Sequence, residues 1–345
     1  MSELSFENVS VRFGTGRRAL TAVDGVDLTV PSGSVVGLVG ESGSGKSSLA
    51  RAAVGLHPVS GGRILVDGAP LGRDGRVGGR RPLQMVFQDP YSSLDPRMTI
   101  GASIAETLPR DAVRGSAARR DEVARLLGLV DVGAERAHMY PGQLSGGQRQ
   151  RVALARALAG RPDVVIADEI TSALDVSIQG TVLNLVRDLQ RRLRLSMLFI
   201  THDLAVVRYV SDHIAVMYLG RIVEFGPAEQ VLRDPRHPYT RELLAAARPG
   251  GSAAGPTGAS ALPAVVADAE PADPHHPPTG CRFHPRCPVG PLVHADRTVC
   301  RERDPAAAGH PHRTACHFVT VPPAPPHDPV CHGLAEPPAA ATATG

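Results

Sequence analysis

Short runs of apolar residues recur along the N-terminal two thirds of the chain. Their length and their content of β-branched and aromatic residues are typical of buried parallel strands. The runs lie at 35–39, 83–87, 164–167 and 197–200. Helical patterns lie between them, for example at 148–159 and 176–193. This alternation of strands and helices predicts an α/β fold.

Two other parts of the pattern predict antiparallel strand pairs. One pair consists of residues 4–13 and 26–30, at the side of the core. The other consists of residues 214–218 and 221–225, with its turn at Leu219-Gly220.

The pattern changes near residue 248, so residues 1–248 are predicted to form the main domain. Residues 249–280 are rich in Pro, Ala and Gly without sustained periodicity, which predicts a linker. Residues 281–318 carry clustered Cys and His and are expected to form a small separate module. The Pro and Ala content of 319–345 predicts a disordered tail.

Composition narrows the possible functions. The 37 basic residues nearly balance the 34 acidic ones, giving +3, which argues against nucleic acid or anionic lipid as a partner. No apolar run approaches the roughly 18 to 20 residues that span a bilayer, so a membrane role would need partner subunits. The N-terminus lacks the apolar segment of a secretory signal, so we expect a cytoplasmic protein.

Lys46 is the only lysine among the 37 basic residues, and it lies in a glycine-rich turn. Residues 40–47 fit the phosphate-loop pattern G-x-x-x-x-G-K-[ST] between a predicted strand and a predicted helix. Glycines let backbone N–H groups point at the phosphates, and the helix presents its positive dipole end. An ordinary glycine-rich turn is the alternative. The predicted nucleotide-binding residues of this loop are Gly40, Ser42, Gly43, Gly45, Lys46, Ser47 and Ser48.

An acidic pair, Asp168 and Glu169, directly follows the predicted strand 164–167. This places both carboxylates at the carboxyl edge of the sheet, where open α/β sheets bind ligands. Asp168, with Ser47, is predicted to hold Mg²⁺, and Glu169 to polarise the attacking water. Alone, such a pair could merely cap the next helix.

Leu144-Ser145-Gly146-Gly147-Gln148 resembles the signature of the ABC ATPases. The resemblance implies a P-loop NTPase with a RecA-like core, an antiparallel β subdomain and a helical subdomain at about 89–160. It also implies that this signature and the phosphate loop of a second subunit enclose ATP at a dimer interface. By the same resemblance, Ser145, Gly146, Gly147 and Gln148 contact the nucleotide.

Other family elements appear in order along residues 3–247. Gln88 matches the Q-loop glutamine, which approaches Mg²⁺ and water, and His202 matches the switch histidine at the γ-phosphate. Asp175 matches the D-loop aspartate, and Phe13 the aromatic residue that stacks on adenine, although a strand Phe is more often a core residue. The family usually has Pro after the acidic pair, where this chain has Ile170.

Finer features resemble the ATPase subunits of oligopeptide and dipeptide importers, in the F-type rather than the D-type chain. They lie at 88–101, 171–179, 202–212 and 237–240. The resemblance implies a second, D-type ATPase subunit, two transmembrane permeases, an external substrate-binding protein and a place on the cytoplasmic face of the membrane. Another cargo, such as nickel or a small solute, stays open. A nucleotide-binding regulator is the alternative outside transport.

All five cysteines lie beyond residue 280, and there is no C-x-x-C pair. The segments 280–288 and 315–318 resemble the C-terminal region of peptide-importer ATPases, which implies Cys281, Cys287, Cys300 and Cys316 as ligands of a [4Fe-4S] cluster. Zinc with His317, or reduced structural thiols, are the alternatives. Cys331 is expected to be free.

Overall fold

The computed structural model contains two β-sheets. It describes residues 2–16, 19–89, 93–109, 113–172, 174–247, 273–307 and 311–319. The larger sheet has seven strands and the smaller has four. Within the described residues, no helix has both the length and the apolar character needed to cross a membrane.

The larger sheet has the order β11-β10-β9-β3-β8-β7-β6. Its strands are β3 (Val35–Val39), β6 (Leu83–Val86), β7 (Val164–Asp168), β8 (Ser196–Ile200), β9 (His213–Tyr218), β10 (Arg221–Pro227) and β11 (Arg313–Thr314). The four strands that the apolar runs predict, β3, β6, β7 and β8, are parallel where they pair, and β3, β7 and β8 are buried throughout. The α/β prediction is therefore confirmed.

The hairpin β9–β10 turns at the predicted dipeptide. Leu219 and Gly220 both have positive φ, 43° and 83°, the backbone geometry that a tight two-residue hairpin requires. Strand β9 pairs parallel with β3, so the hairpin adds the antiparallel strand β10 beside the parallel strands.

The smaller sheet is antiparallel, with the order β2-β1-β4-β5. Its strands are β1 (Leu4–Phe13), β2 (Leu20–Val30), β4 (Gly61–Val66) and β5 (Ala69–Pro70). The pairing of β1 with β2 is as predicted, although β2 begins at Leu20 rather than at residue 26. The apolar pattern did not indicate β4 and β5, because glycine and arginine occupy the first half of β4 and β5 has only two residues.

Nine α-helices lie in the described residues: α1 (Lys46–Ala53), α2 (Ile100–Thr107), α3 (Ser116–Leu129), α4 (Gly146–Ala159), α5 (Val176–Leu193), α6 (Leu204–Val210), α7 (Ala228–Arg233), α8 (Pro238–Ala246) and α9 (Val299–Glu302). Helices α2, α3 and α4 pack together within the range expected for the helical subdomain, around buried Ile104, Val123 and Leu126.

The C-terminal cysteine module packs against the core in its described part. Strand β11 pairs with β10, with Thr314 opposite Glu224. Phe283 is 1% exposed and belongs to the same apolar cluster as Tyr218 and Tyr239. Most of the predicted linker and tail, including Cys331, lies outside the described residues, so the boundaries at 248 and 319 stay predictions.

Candidate functional site

The phosphate loop connects β3 to α1, as the sequence predicts. Gly40, Gly43 and Gly45 have φ of 155°, 79° and 106°, values at which a side chain is strained. A Cβ on Gly40 would lie 2.1 Å from the Met217 carbonyl oxygen, and one on Gly45 would lie 2.2 Å from the Ala22 carbonyl oxygen. Glycine is therefore required at both ends of the loop by backbone conformation and by space.

The ammonium group of Lys46 lies inside this loop, and the residue is 5% exposed. Its Nζ donates hydrogen bonds to the carbonyl oxygens of Gly40 and Glu41, at 2.8 and 2.7 Å, and to Ser44 Oγ at 3.2 Å. Burial lowers the pKa of Lys46, and the nearby carboxylates of Glu169, Asp168 and Glu41 oppose that shift.

Ser47 and Asp168 meet at the start of α1. Ser47 Oγ donates a hydrogen bond to Asp168 Oδ1 at 3.0 Å. Burial raises the pKa of Asp168, while the Ser47 hydroxyl acts against the rise. A hydroxyl and a carboxylate are the hard oxygen ligands that Mg²⁺ prefers, so these residues fit the metal predicted for them.

Glu169 brings two other predicted site residues together. Gln88 Nε2 donates to Glu169 Oε2 at 2.9 Å, and His202 Nδ1 lies 3.2 Å from Glu169 Oε1. Glu169 has φ of 47°, a left-handed conformation that is uncommon outside glycine. Three predicted residues from different loops thus converge at the carboxyl edge of the parallel sheet.

Ser172 supports this arrangement, and Ile170 is compatible with it. The Ser172 hydroxyl donates to the Glu169 carbonyl oxygen at 2.9 Å, and Gln88 Nε2 lies 3.2 Å from Ser172 Oγ. Ile170, which stands where the resembling family usually has Pro, is 1% exposed and packs in the core. With Ile170 at this position, Glu169 still contacts Gln88 and His202.

The signature serine caps helix α4. Ser145 Oγ accepts from the Gln148 N–H at 3.3 Å, and Gln148 Oε1 accepts from the Ser145 N–H at 3.1 Å. A Cβ on Gly147 would lie 2.5 Å from Ile178 Cγ2, and one on Gly146 would lie 3.5 Å from Leu174 Cδ2. The signature therefore packs against the segment that carries Asp175, whose own side chain is exposed and makes no cap hydrogen bond.

The remaining predicted nucleotide residues lie around the loop. Phe13 is half-buried, and the ring of His57 meets it edge-on with centroids 4.9 Å apart. Ser42 is exposed at the loop, and Ser48 is half-buried on α1. His57 was not among the predicted residues, because a single histidine after a helix carries no motif.

The cysteine group, defined as Cys281, Cys287, Cys300 and Cys316, consists of free thiols. Each thiol lies within electrostatic range of the other three. Burial raises the pKa of Cys281 to about 11 and that of Cys287 to about 12, and it also raises the pKa of Cys300.

The iron–sulfur prediction is not supported by this geometry. In the part of the chain that the structure describes, no three or more His, Cys, Asp or Glu side chains are arranged to hold a metal ion. His317, the alternative zinc ligand, has its Nε2 2.9 Å from the Arg303 carbonyl oxygen. Zinc with His317 and reduced structural thiols stay predictions.

Two family models match the chain. The model of the ABC transporter matches residues 23–172, and that of the oligopeptide/dipeptide transporter C-terminal region matches residues 223–290. The chain is 42% identical over 325 residues to a probable peptide ABC transporter ATP-binding protein of Sinorhizobium fredii, with 90% of each chain covered. It is 45% identical over 276 residues to the di/tripeptide transport ATP-binding protein DppF of Pseudomonas aeruginosa, with 79% of this chain and 84% of DppF covered.

Solved structures agree with this similarity. The ATP-binding cassette MJ0796, in a dimeric post-hydrolysis state bound to ADP and Pi, has a TM-score of 0.57 and 27% identity. That alignment covers 65% of this chain and 98% of MJ0796. The structure of cbiO1 from Clostridium perfringens, part of the ABC transporter complex cbiONQ, has a TM-score of 0.57 and 28% identity, covering 67% of this chain and 90% of cbiO1.

Proposed function

Because this chain belongs to the ATP-binding proteins of ABC transporters, in the oligopeptide and dipeptide importer family, it is an ATP hydrolase, and we propose that it energises peptide uptake. The observation that carries the proposal is the convergence of Gln88 and His202 on Glu169, beside the loop that encloses Lys46. The match of the oligopeptide/dipeptide C-terminal model to residues 223–290 supports the cargo class.

Each residue of the site has a role in the proposed reaction. The attacking water forms a bond to the γ-phosphorus while the bond from that phosphorus to the bridging oxygen of ADP breaks. Glu169 orients the water and accepts its proton, and Gln88 fixes one oxygen of that carboxylate. Lys46 and His202 stabilise the negative charge on the phosphate oxygens. Ser47 and Asp168 would hold Mg²⁺, which supplies further neutralisation of the phosphates.

The site is proposed to be complete only in a dimer of ATPase subunits. Ser145 and the N-terminus of α4 form a second anion-binding surface, because the first N–H groups of a helix lack intrahelical acceptors. Its place is against the phosphate loop of the neighbouring subunit, with Phe13 on the adenine and Asp175 at the interface. The dimeric structure of MJ0796 bound to ADP and Pi supports this assembly.

The remaining partners follow from the proposed transport function. A D-type ATPase chain completes the dimer, two permeases form the path, and an external binding protein selects the cargo, while this chain lies at the cytoplasmic face. The segment 88–101 is proposed to face the permeases, although Pro90, Tyr91 and Ser92 lie outside the described residues.

An uptake assay tests the cargo. Cells that lack this chain are complemented with the wild type or with Glu169→Gln, and uptake of radiolabelled dipeptides, oligopeptides and nickel is measured. We expect only the wild type to restore peptide uptake. Restoration of nickel uptake alone would favour the metal-importing alternative, and ATP binding without any effect on uptake would favour a regulator.

A further inference from the structure

We propose that Tyr239 and Arg286 are positioning residues for ATP binding: they hold Glu41, and through it the phosphate loop, so that the C-terminal region sets the affinity of the nucleotide site. The proposal rests on the assignment of the phosphate loop as the ATP site. Its basis is a chain of contacts that joins residues far apart in the sequence.

Glu41 is the second residue of the phosphate loop and is held at three points. Its backbone N–H donates a hydrogen bond to the Tyr239 hydroxyl oxygen at 2.9 Å. Its carbonyl oxygen accepts from Lys46 Nζ at 2.7 Å. Its carboxylate forms an ion pair with Arg286, at 3.5 Å. One residue therefore contacts the phosphate-binding lysine and also two residues of the C-terminal third of the chain.

Tyr239 is well suited to hold a loop because its ring cannot move freely. The residue is fully buried, and its ring packs against Tyr218 and Phe283, with centroids 4.6 and 5.6 Å apart. Phe283 comes from the cysteine module, so the module forms part of the wall that fixes the tyrosine. A hydroxyl on a ring fixed in this way is an acceptor of fixed position for the Glu41 N–H.

The backbone around Tyr239 is fixed by a buried hydrogen-bond network. The Tyr239 N–H donates to His237 Nδ1 at 3.1 Å, and the His237 N–H donates to Glu224 Oε2 at 2.9 Å. The other oxygen of Glu224 lies 2.6 Å from His312 Nε2. His312 directly precedes β11, so the network links the C-terminal strand to the tyrosine that holds the phosphate loop.

Arg286 makes a second, weaker connection. It also contacts Glu242 on α8, which fixes its position beside the loop. The side chain of Glu41 is 45% exposed, so solvent screens its ion pair with Arg286. We therefore expect the hydrogen bond to Tyr239 to have the larger effect and the ion pair to have a smaller one that depends on salt.

Binding of a triphosphate by backbone N–H groups requires that those groups already point inwards. Loss of the Tyr239 hydroxyl leaves the Glu41 N–H without that acceptor and lets the loop adopt other conformations. ATP must then bind a less ordered loop, and the cost of ordering it appears as weaker binding.

The test is Tyr239→Phe in the full chain, which keeps the ring and removes the hydroxyl. The dissociation constant of a fluorescent ATP analogue with Mg²⁺ and the melting temperature without nucleotide are both measured. We expect about three- to tenfold weaker binding, up to the value of one hydrogen bond, and a melting temperature lowered by at most a few degrees, because the same bond also stabilises the nucleotide-free fold. Tyr209→Phe is the matched control, because it removes a tyrosine hydroxyl that contacts Asn184 on a different surface.

A second variant, Arg286→Gln, tests whether Arg286 and Tyr239 act on ATP binding through the same residue, Glu41. We expect this variant to bind ATP about twofold more weakly at low salt. We expect the double variant Tyr239→Phe with Arg286→Gln to lose less affinity than the product of the two single losses. Wild-type protein that binds no ATP would refute the ATP site itself. Wild-type protein that binds ATP, together with a Tyr239→Phe variant that binds it equally well, would overturn only the positioning role. Full multiplicativity in the double variant would also overturn it.

Discussion

The side-chain amide of Gln88 donates a hydrogen bond to one carboxylate oxygen of Glu169, with Nε2 and Oε2 2.9 Å apart. His202 lies 3.2 Å from the other oxygen. Both oxygens of the carboxylate are thus fixed by side chains that reach it from separate loops. For the general-base role proposed for Glu169, this means that the carboxylate would lose little orientational freedom when water and ATP bind.

Replacing Glu169 with Gln is expected to abolish turnover while ATP binding is retained. The amide cannot accept the proton of the attacking water, and loss of a general base lowers rates by at least about 100-fold. Phosphate release and nucleotide binding are measured on the same preparation. Glu229→Gln, at an exposed ion pair on α7, is the matched control. Turnover by Glu169→Gln at the wild-type rate would contradict the role given to this carboxylate.

Gly147→Ala is expected to destabilise the protein, because the new Cβ would lie 2.5 Å from Ile178 Cγ2. Overpacking of this kind costs about 1 to 3 kcal/mol. Denaturant unfolding measures the change in the free energy of unfolding.

The helix α5 supplies a control for this variant. A Cβ on Gly180 would meet nothing within 4 Å, so Gly180→Ala is expected to keep or slightly raise stability. Ile178→Ala in the Gly147→Ala background is expected to recover part of the loss. If Gly147→Ala is as stable as the wild type, the packing of the signature against α5 differs from that described.

The thiols of Cys281 and Cys287 are expected to react slowly with iodoacetamide at neutral pH. Burial raises their pKa values to about 11 and about 12, so both are protonated there. We expect labelling at least about tenfold slower than that of a free thiol with a pKa near 8.5. We also expect the labelling rates of both thiols to keep rising as the pH is raised above about 8.5.

Site-resolved mass spectrometry of the labelled protein checks this expectation, with the urea-unfolded chain as the reference. Labelling of the folded chain at the unfolded rate would contradict the protection expected from the burial of Cys287 and the partial burial of Cys281.

His237 is expected to make folding less stable at acidic pH. Burial lowers the pKa of His237 to about 4 from the ordinary 6.5, while nearby Glu224 acts against the shift. Between these values the unfolded chain binds a proton that the folded chain does not, so the free energy of unfolding falls as pH falls. The slope from this group is about 1.4 kcal/mol per pH unit.

The variant His237→Asn isolates that slope. Asparagine can cap α8 as His237 does but does not titrate. We expect a shallower decline in stability below pH 6.5 for this variant, and an unchanged decline for His294→Gln at an exposed histidine. Identical pH profiles for His237→Asn and the wild type would rule out the effect.

The sequence predicted the parts of the site that depend on local geometry. The phosphate loop lies between a strand and a helix because glycines at 40 and 45 are required by backbone conformation, and such requirements are visible in a short motif. Asp168 and Glu169 could be placed because a buried parallel strand ends at a known edge of the sheet. These features use contacts between near neighbours in the chain.

Contacts between distant segments were not predictable in the same way. Tyr239 meets Glu41 across 198 positions, and Phe13 meets His57 through aromatic packing rather than a motif. The thiols of the cysteine group lie near one another, but spacing alone could not show whether they converge as metal ligands. Such relationships depend on how the sheet edge and the C-terminal segments pack.

The two-residue strand β11 lies at one edge of the larger sheet. It covers part of β10, whose backbone groups would otherwise form an open template for strands of other chains. A chain shortened to the nucleotide-binding part would expose that edge and would leave the carboxylate of Glu224 buried without its imidazole neighbour. We therefore expect removal of the C-terminal segment to lower the stability of the fold and to favour association through the uncovered edge.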